Sequence, residues 1–546
     1  MKLKKNTFIQ GAFIATIGIV ISKILGIIYV IPFYAIIGDQ GGALYGYAYN
    51  IYSIFLGISQ AGLPLAMSKL ISEYNTLGYY DTKEKIYKVG KTFLNILGVI
   101  CFVILFVFAP QIADLIIGGV TDGNSPEDIV FVIRIISTAI LVVPILSVSR
   151  GYLQGHKFIS PTPISQIIEQ VVRVVIIIVG SYLMLKVFNL PLRAAVGCAV
   201  FAATIGALCS YLYIRYKIKQ NQDSLILQST KDEPKLSTKE ILKMLIIYAV
   251  PFVMIDIFRS IYNSVDVITL VKTLVNDFGY ATKDAETIMS VISTWGLKLN
   301  MIIISVVSGI MTSLIPNLTS SFVKKDMKDV NKKINQTLQI ILCISLPMTI
   351  GLSFITKPVW NIFYGASTYG PITYRYLVFV AFATTLFTAT TTTMQLLKEY
   401  KMVFLTLIIG FLIKSTLNIP LMHLFNNLNI YPFYGAITAT ILGFLTSALI
   451  SSIHIKRKFN ISYKSTFKEL KNIVISVVLM LIVMYLLTFI IPLEVKGRAL
   501  SFVIALTYAI VGGSVCLGYL YKSKTLENIF GKEIFNKLKS KLRKSK

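Results

Sequence analysis

The chain has 546 residues, of which 55% are hydrophobic and 14% charged, and its mean hydropathy is +0.72. This excludes a soluble globular protein, because the apolar share exceeds what a water-facing fold carries. The formal net charge of +28 must be located along the chain before it is read as a nucleic-acid signal.

Apolar runs of roughly 18 to 30 residues recur from end to end, each long enough to cross a ~30 Å hydrocarbon core as a helix. The expectation is an all-α, multi-pass membrane protein of about 14 spans. In chain order they cover residues 8–38, 45–74, 92–117, 129–154, 164–187, 194–216 and 244–274, then 287–322, 334–356, 374–397, 402–425, 434–454, 473–491 and 499–521. The first follows the basic start MKLKK, but it is too long for a secretory signal and no A-x-A-like cleavage site follows, so it reads as retained.

The loops YYDTKEKIYKVGK, RYKIKQNQDS, VKKDMKDVNKK and HIKRKFNISYKSTFKELK, with both termini, hold roughly 38 of the 53 Lys and Arg residues, and the opposite loops about 8. That asymmetry is the positive-inside pattern. It places both termini in the cytoplasm and accounts for the basicity without nucleic acid. The loop GGVTDGNSPED, with no Lys or Arg, then falls outside.

Cys101, Cys198, Cys209, Cys343 and Cys516 all sit inside apolar runs with no C-x-x-C spacing, so they make neither a disulfide framework nor a zinc site. His156, His423 and His454 are too scattered for a metal cluster. No Walker A motif, nucleophile elbow or kinase-like loop is present, so the chain reads as no enzyme and needs no cofactor. If it moves something, the energy comes from sodium, protons or the membrane potential, or from a partner.

The longest polar stretch, KIKQNQDSLILQSTKDEPKLSTKE, divides the first 12 spans into two sets of six. The expected organisation is a six-helix lobe at 1–220, a cytoplasmic linker at 221–243, a second six-helix lobe at 244–458, two added helices at 459–521 and a basic tail at 522–546. GYLQGHK after the fourth span has a counterpart in QLLKEYK after the tenth, and GLPLAMSKLISEY is echoed by GIMTSLIPNLTSSF, which suggests a parallel internal repeat. Pro32, Pro64, Pro144, Pro251, Pro316 and Pro420 fall inside the runs as packing kinks or hinges.

Cations inside spans need a reason, since each costs roughly 2.5 to 3.5 kcal/mol at a helix centre. Lys69 and Arg134 lie near span ends, where snorkelling serves. Glu169 and Arg173 form an i,i+4 pair, and Asp256 with Arg259 an i,i+3 pair, so a structural ion pair is as good a reading as a substrate contact. Lys23, Lys298 and Lys414 have no acid one turn away. Counted at 1.5 Å per residue, the three lysines fall roughly 17 to 22 Å along their spans, near the midplane, with Arg173 and Arg259 at similar depth. Cations at one depth read as a cavity for an anion.

The runs SRGYLQGHKFISPTPISQIIEQVVRV, SKILGIIYVIPFYAIIG and GISQAGLPLAMSKLISEY resemble the polysaccharide-flippase branch of the MOP superfamily. Within it, they are most similar to the Gram-positive group that holds the MurJ-type lipid II flippases and the stage V sporulation B proteins. The resemblance implies two six-helix lobes in a V, with spans 13 and 14 forming a groove for an undecaprenyl tail. It also implies export of an undecaprenyl-pyrophosphate-linked glycan such as lipid II across the bacterial cell membrane, with membrane lipids and cell-wall synthesis proteins as partners.

Lys23 in SKILG matches a position where MurJ proteins place an Arg, and Lys298 in WGLKLN matches their cavity Arg in span eight. The chain departs from the pattern at Tyr29, where many carry a second Arg, and in span eleven, where Lys414 stands in a span that carries an acidic sodium ligand in some members. The expected substrate contacts are therefore Lys23, Arg173, Lys298, Arg259, Lys414 and Glu169, with Asp256 and Asp266 as coupling-ion candidates. Three rivals are a flippase for another envelope or spore-cortex glycan, a multidrug or cation antiporter of the same superfamily, and a non-transporting assembly scaffold.

Overall fold

The computed structural model describes residues 29–60, 63–118, 123–158, 160–225, 233–305, 321–322, 324–494 and 497–530, with Gly26 and Leu318. Every regular element among them is helical. The chain divides into two compact units, Met1–Trp295 and Gly296–Lys546.

The first unit contains α1 (Val30–Gln60), α2 (Leu63–Leu77), α3 (Tyr80–Val107), α4 (Ala109–Ile117), α5 (Pro126–Ser137) and α6 (Ala139–Gly155). It continues with α7 (Pro161–Val175), which runs on through π turns at Ile176–Gly180 and Leu183–Val187, then α8 (Leu192–Gln220), α9 (Gln222–Leu225), α10 (Thr238–Asn276) and α11 (Thr282–Ser290) with its π turn Val291–Trp295. The second unit holds α12 (Met327–Phe354), α13 (Thr356–Tyr364), α14 (Tyr369–Leu396), α15 (Tyr400–Asn427), α16 (Phe433–Phe459), α17 (Lys464–Thr488), α18 (Arg498–Lys522) and α19 (Thr525–Phe530).

Eleven spans among the described residues are long and apolar enough to cross a membrane, and they match expected spans three to six and eight to fourteen. The protein is a multi-pass membrane protein. The start of the chain differs from expectation. α1 passes through the expected loop at 39–44 and kinks at Gly38, where φ is 64° and ψ −163°. That conformation is open to glycine and strained for other residues, so the helix bends at Gly38 and resumes at once. Lys23 and Pro316 lie outside the described residues.

Local signals set several helix ends. Ser125 and Asp128 close a capping box at the start of α5, and Ser237 and Glu240 do the same for α10. Four ends carry lysine in the left-handed region: Lys157 (φ 65°), Lys325 (58°), Lys398 (64°) and Lys524 (59°). At Lys157 the amide bonds Gln154 O at 2.9 Å and the next amide bonds Leu153 O at 3.0 Å. At Lys398 the same two bonds run to Gln395 O at 3.0 Å and Met394 O at 2.9 Å. Both are Schellman caps, which satisfy the last carbonyls of a helix.

The repeat is visible in helix lengths. α3, of 28 residues, is followed one residue later by α4, of nine. α12, again of 28 residues, is followed one residue later by α13, of nine. Neighbours recur as well: α6 packs on α3 and α8, with α7 on α8, while α14 packs on α12 and α16, with α15 on α16. The cap geometry corrects the register read from sequence. Lys157 pairs with Lys398, three residues before the Lys401 that the GYLQGHK and QLLKEYK match implies. A cap is defined by backbone hydrogen bonds, which tolerate most side chains at the positions around it.

The first compact unit runs on to Trp295. α10 and α11 both pack along α1, and Trp295 sets its ring edge-on to Phe33 and Tyr34 with centroids 5.8 and 5.2 Å away. These aromatic contacts hold residues up to 295 in the first unit.

Candidate functional site

The most developed polar cluster in the first unit grows from α7. Pro161 and Pro163 start that helix, where a missing N–H costs nothing. Glu169 and Arg173 then share one face, turned toward α6 and α8. α8 comes close because position 206 is glycine: a Cβ there would lie 2.8 Å from Glu169 O.

The carboxylate of Glu169 receives two guanidiniums. Arg150 on α6 donates from Nη2 to Glu169 Oε2 at 2.9 Å, and Arg173 Nη2 reaches Oε1 at 3.4 Å. Arg150 also donates to Ser165 Oγ at 2.8 Å and Ser210 Oγ at 2.9 Å, so it is fastened to three groups on α7 and α8. Arg173 Nη1 donates to Tyr49 OH at 3.0 Å, while its buried Nε–H has no partner. Tyr49 stacks on Tyr45 at 5.2 Å between centroids. Two arginines around one carboxylate leave one positive charge over. Arg173 has the unfilled donor and can take an oxyanion, whereas Arg150 is committed to the scaffold.

The expected pair Glu169 and Arg173 is thus present, but Glu169 is mainly the counter-charge of Arg150, which the sequence reading missed. The signal was available: Arg150 stands in SRGYLQG inside the fourth apolar run, four residues from its expected end. The remaining expected contacts are placed differently. Lys298 is half-buried at the start of the second unit and has interactions of its own. Asp266 is buried on α10 and also has partners. Asp256 and Arg259 lie on α10, and their side chains fall outside the described set.

Lys414 is fully enclosed, with Nζ donating to Asn418 Oδ1 at 2.8 Å and to Ala436 O at 2.9 Å. Neutral oxygens can satisfy a buried ammonium, and the search for an acid one turn away overlooks them. Lys69 is exposed with Nζ 3.7 Å from the Tyr248 ring centroid, and Arg134 lies 5.0 Å from the Phe106 ring.

The second unit contains an apolar groove of about 370 Å³ between α12, α17 and α18, lined by Pro347, Met348, Met480, Met484, Tyr508 and Leu517. Such a lining accepts hydrocarbon and offers little to a sugar or a charge.

Residues 8–322 match the family model described as polysaccharide biosynthesis protein. The chain is 35% identical to lipid II flippase MurJ of Bacillus subtilis (strain 168), over 97% of this chain and 98% of that one. The chain belongs to the polysaccharide biosynthesis protein family.

Two solved structures place this family member in a wider fold group. A structure of lipid II flippase MurJ in an inward closed conformation is similar with a TM-score of 0.63 at 17% identity, covering 94% of this chain and 99% of that one. An inward-facing multidrug resistance MATE family transporter of the MOP superfamily matches with a TM-score of 0.64 at 14% identity, covering 82% of this chain and 98% of that one. The fold of the family member is therefore that of MurJ and MATE transporters.

Proposed function

We propose that this protein is a lipid II flippase, moving an undecaprenyl-pyrophosphate-linked cell-wall precursor from the inner to the outer leaflet by alternating access. The observation that carries this reading is similarity to a lipid II flippase along nearly the whole of both chains. Arg173, with its unfilled Nε–H, supports the anion side of the reading, and the apolar groove beside α17 and α18 supports the lipid side. Lys23, Lys298 and Arg259 are the further cations assigned to the pyrophosphate. Both termini are assigned to the cytoplasm, and the protein acts as a transporter without a catalytic step of its own.

The membrane potential supplies a driving force. Each negative charge leaving a negative interior gains roughly 2.3 kcal/mol per 100 mV, and the pyrophosphate diester carries about two such charges. Cations in the path lower the cost of taking the anion from water, and they must release it, which favours lysine and a half-neutralised arginine over a dense arginine clamp.

The test depletes the native lipid II flippase in a Gram-positive host, expresses this protein, and measures accessibility of labelled lipid II on the outer leaflet. Restored accessibility that disappears in Lys23→Ala and Arg173→Met supports the reading. No restoration, with the protein confirmed in the membrane, sinks it.

A further inference from the structure

A second buried polar site lies in the first unit, apart from the arginine cluster. Glu286 on α11 is fully buried. Its Oε1 accepts from the Asn124 amide at 2.9 Å and from Asn124 Nδ2 at 2.8 Å, and its Oε2 has no hydrogen-bond partner. Asn124 is itself held by Gln40 O on α1 at 3.1 Å. Gly123 lies against the free oxygen, where a Cβ would come 2.9 Å from Oε2. Tyr47 on α1 is also fully buried with its hydroxyl unpartnered, and it lies within electrostatic reach of Glu286.

The charged groups around this carboxyl do not neutralise it. Among the described residues no lysine, arginine or histidine pairs with Glu286. Asp128 on α5 is the charged group within reach, and its own partner is Arg193 at 3.5 Å. On α1, Asp39 faces α11 through Ser290 at 3.4 Å and is bonded by Tyr34 at 3.3 Å. On α10, Lys272 is turned away to Asp114 O at 2.9 Å and Asp266 is buried with partners of its own, while Asp277 at its C-cap is exposed. On α11 itself, Lys283 is exposed and Asp284 half-exposed.

A carboxylate sealed this way is costly as an anion, and the remedies are a counter-ion or a proton. A sodium ion needs a shell of oxygens, whereas a proton needs one; among the described residues the free oxygens here are Glu286 Oε2 and the Tyr47 hydroxyl, too few for such a shell. We propose that Glu286 is a proton-carrying site, protonated in the sealed arrangement seen here and emptied when transport opens it to water. The coupling half of this inference rests on the transport reading above; the protonation half does not. It moves the candidate coupling group from Asp256 and Asp266 to the end of α11 that the charge asymmetry assigns to the outside.

The test has two readouts. Infrared difference spectra of the purified full chain in lipid nanodiscs, without substrate, compare wild type with Glu286→Gln. Glutamine keeps an acceptor for both Asn124 bonds, so the melting temperature serves as a folding control. The expected result is a protonated-carboxyl band at neutral pH that disappears in the variant. In proteoliposomes carrying lipid II, Glu286→Gln should move lipid about tenfold more slowly, within the range of ordinary coupling energies, and with a flattened pH profile. A spectrum without that band overturns the site. A band with an unchanged pH profile overturns the coupling. Wild-type vesicles that move no lipid II, with the band present, count against the transport reading and leave the proton site standing.

Discussion

Arg150 and Arg173 share one carboxylate, and their surroundings assign them opposite roles. Arg150 makes charge-assisted bonds to Glu169, Ser165 and Ser210 at 2.8 to 2.9 Å, and its side chain is 9% exposed. Truncation to Met removes all three and leaves Glu169 with Arg173 at 3.4 Å. A buried charge that loses its better partner costs about 3 to 5 kcal/mol, because it can neither relax into water nor find a new donor. Replacing Arg150 and Glu169 together, by Met and Leu, removes both charges, so the double variant should recover about 1 to 3 kcal/mol of that loss.

Arg173 differs. Its side chain is 17% exposed and its Nε–H is unfilled, so Arg173→Met should cost little stability while reducing lipid movement severely. Thermal melting in nanodiscs, run beside the outer-leaflet accessibility assay, separates the two. If Arg150→Met melts like wild type, or if the double variant falls as far as the sum of the singles, the assignment of Arg150 as scaffold is wrong.

Further outcomes follow from other sites. Lys414→Met should lower stability by about 1 to 3 kcal/mol by removing the charge-assisted bonds to Asn418 Oδ1 and Ala436 O, with transport per folded molecule retained; loss of transport at unchanged melting would place Lys414 in the substrate path. Burial alone would raise the Glu399 carboxyl, but hydrogen bonds from Lys458 at 2.6 Å and His454 at 3.0 Å outweigh it and hold the group below the ordinary carboxylate range. A lowered folded pKa gives stability that is complete above the unfolded value of about 4.3 and fades as pH falls through the folded one, so amide exchange around 397–403 should rise on acidification, and Glu399→Gln should abolish that dependence. Lys398→Gly should raise stability by about 1 kcal/mol and Gly38→Ala lower it by a similar amount, since each changes whether a side chain must sit at positive φ; melting curves of opposite sign are the check.

The sequence by itself determined the solvent, the helical class, most of the spans and the pairing of Glu169 with Arg173. Hydropathy runs and i,i+4 spacing are local properties, and a membrane leaves the backbone few alternatives to helix. What only the tertiary structure decided is which distant groups meet. Arg150 reaches Glu169 across 19 residues and Ser210 across 60, and Asn124 reaches Glu286 across 162. Lys414 finds neutral oxygens on its own helix and the next, so an apparently unpaired cation is a satisfied one. The repeat was visible as a faint echo of letters, but its register appeared only in the αL caps at Lys157 and Lys398. A lone charge in an apolar run states that a partner must exist, and packing between helices chooses it.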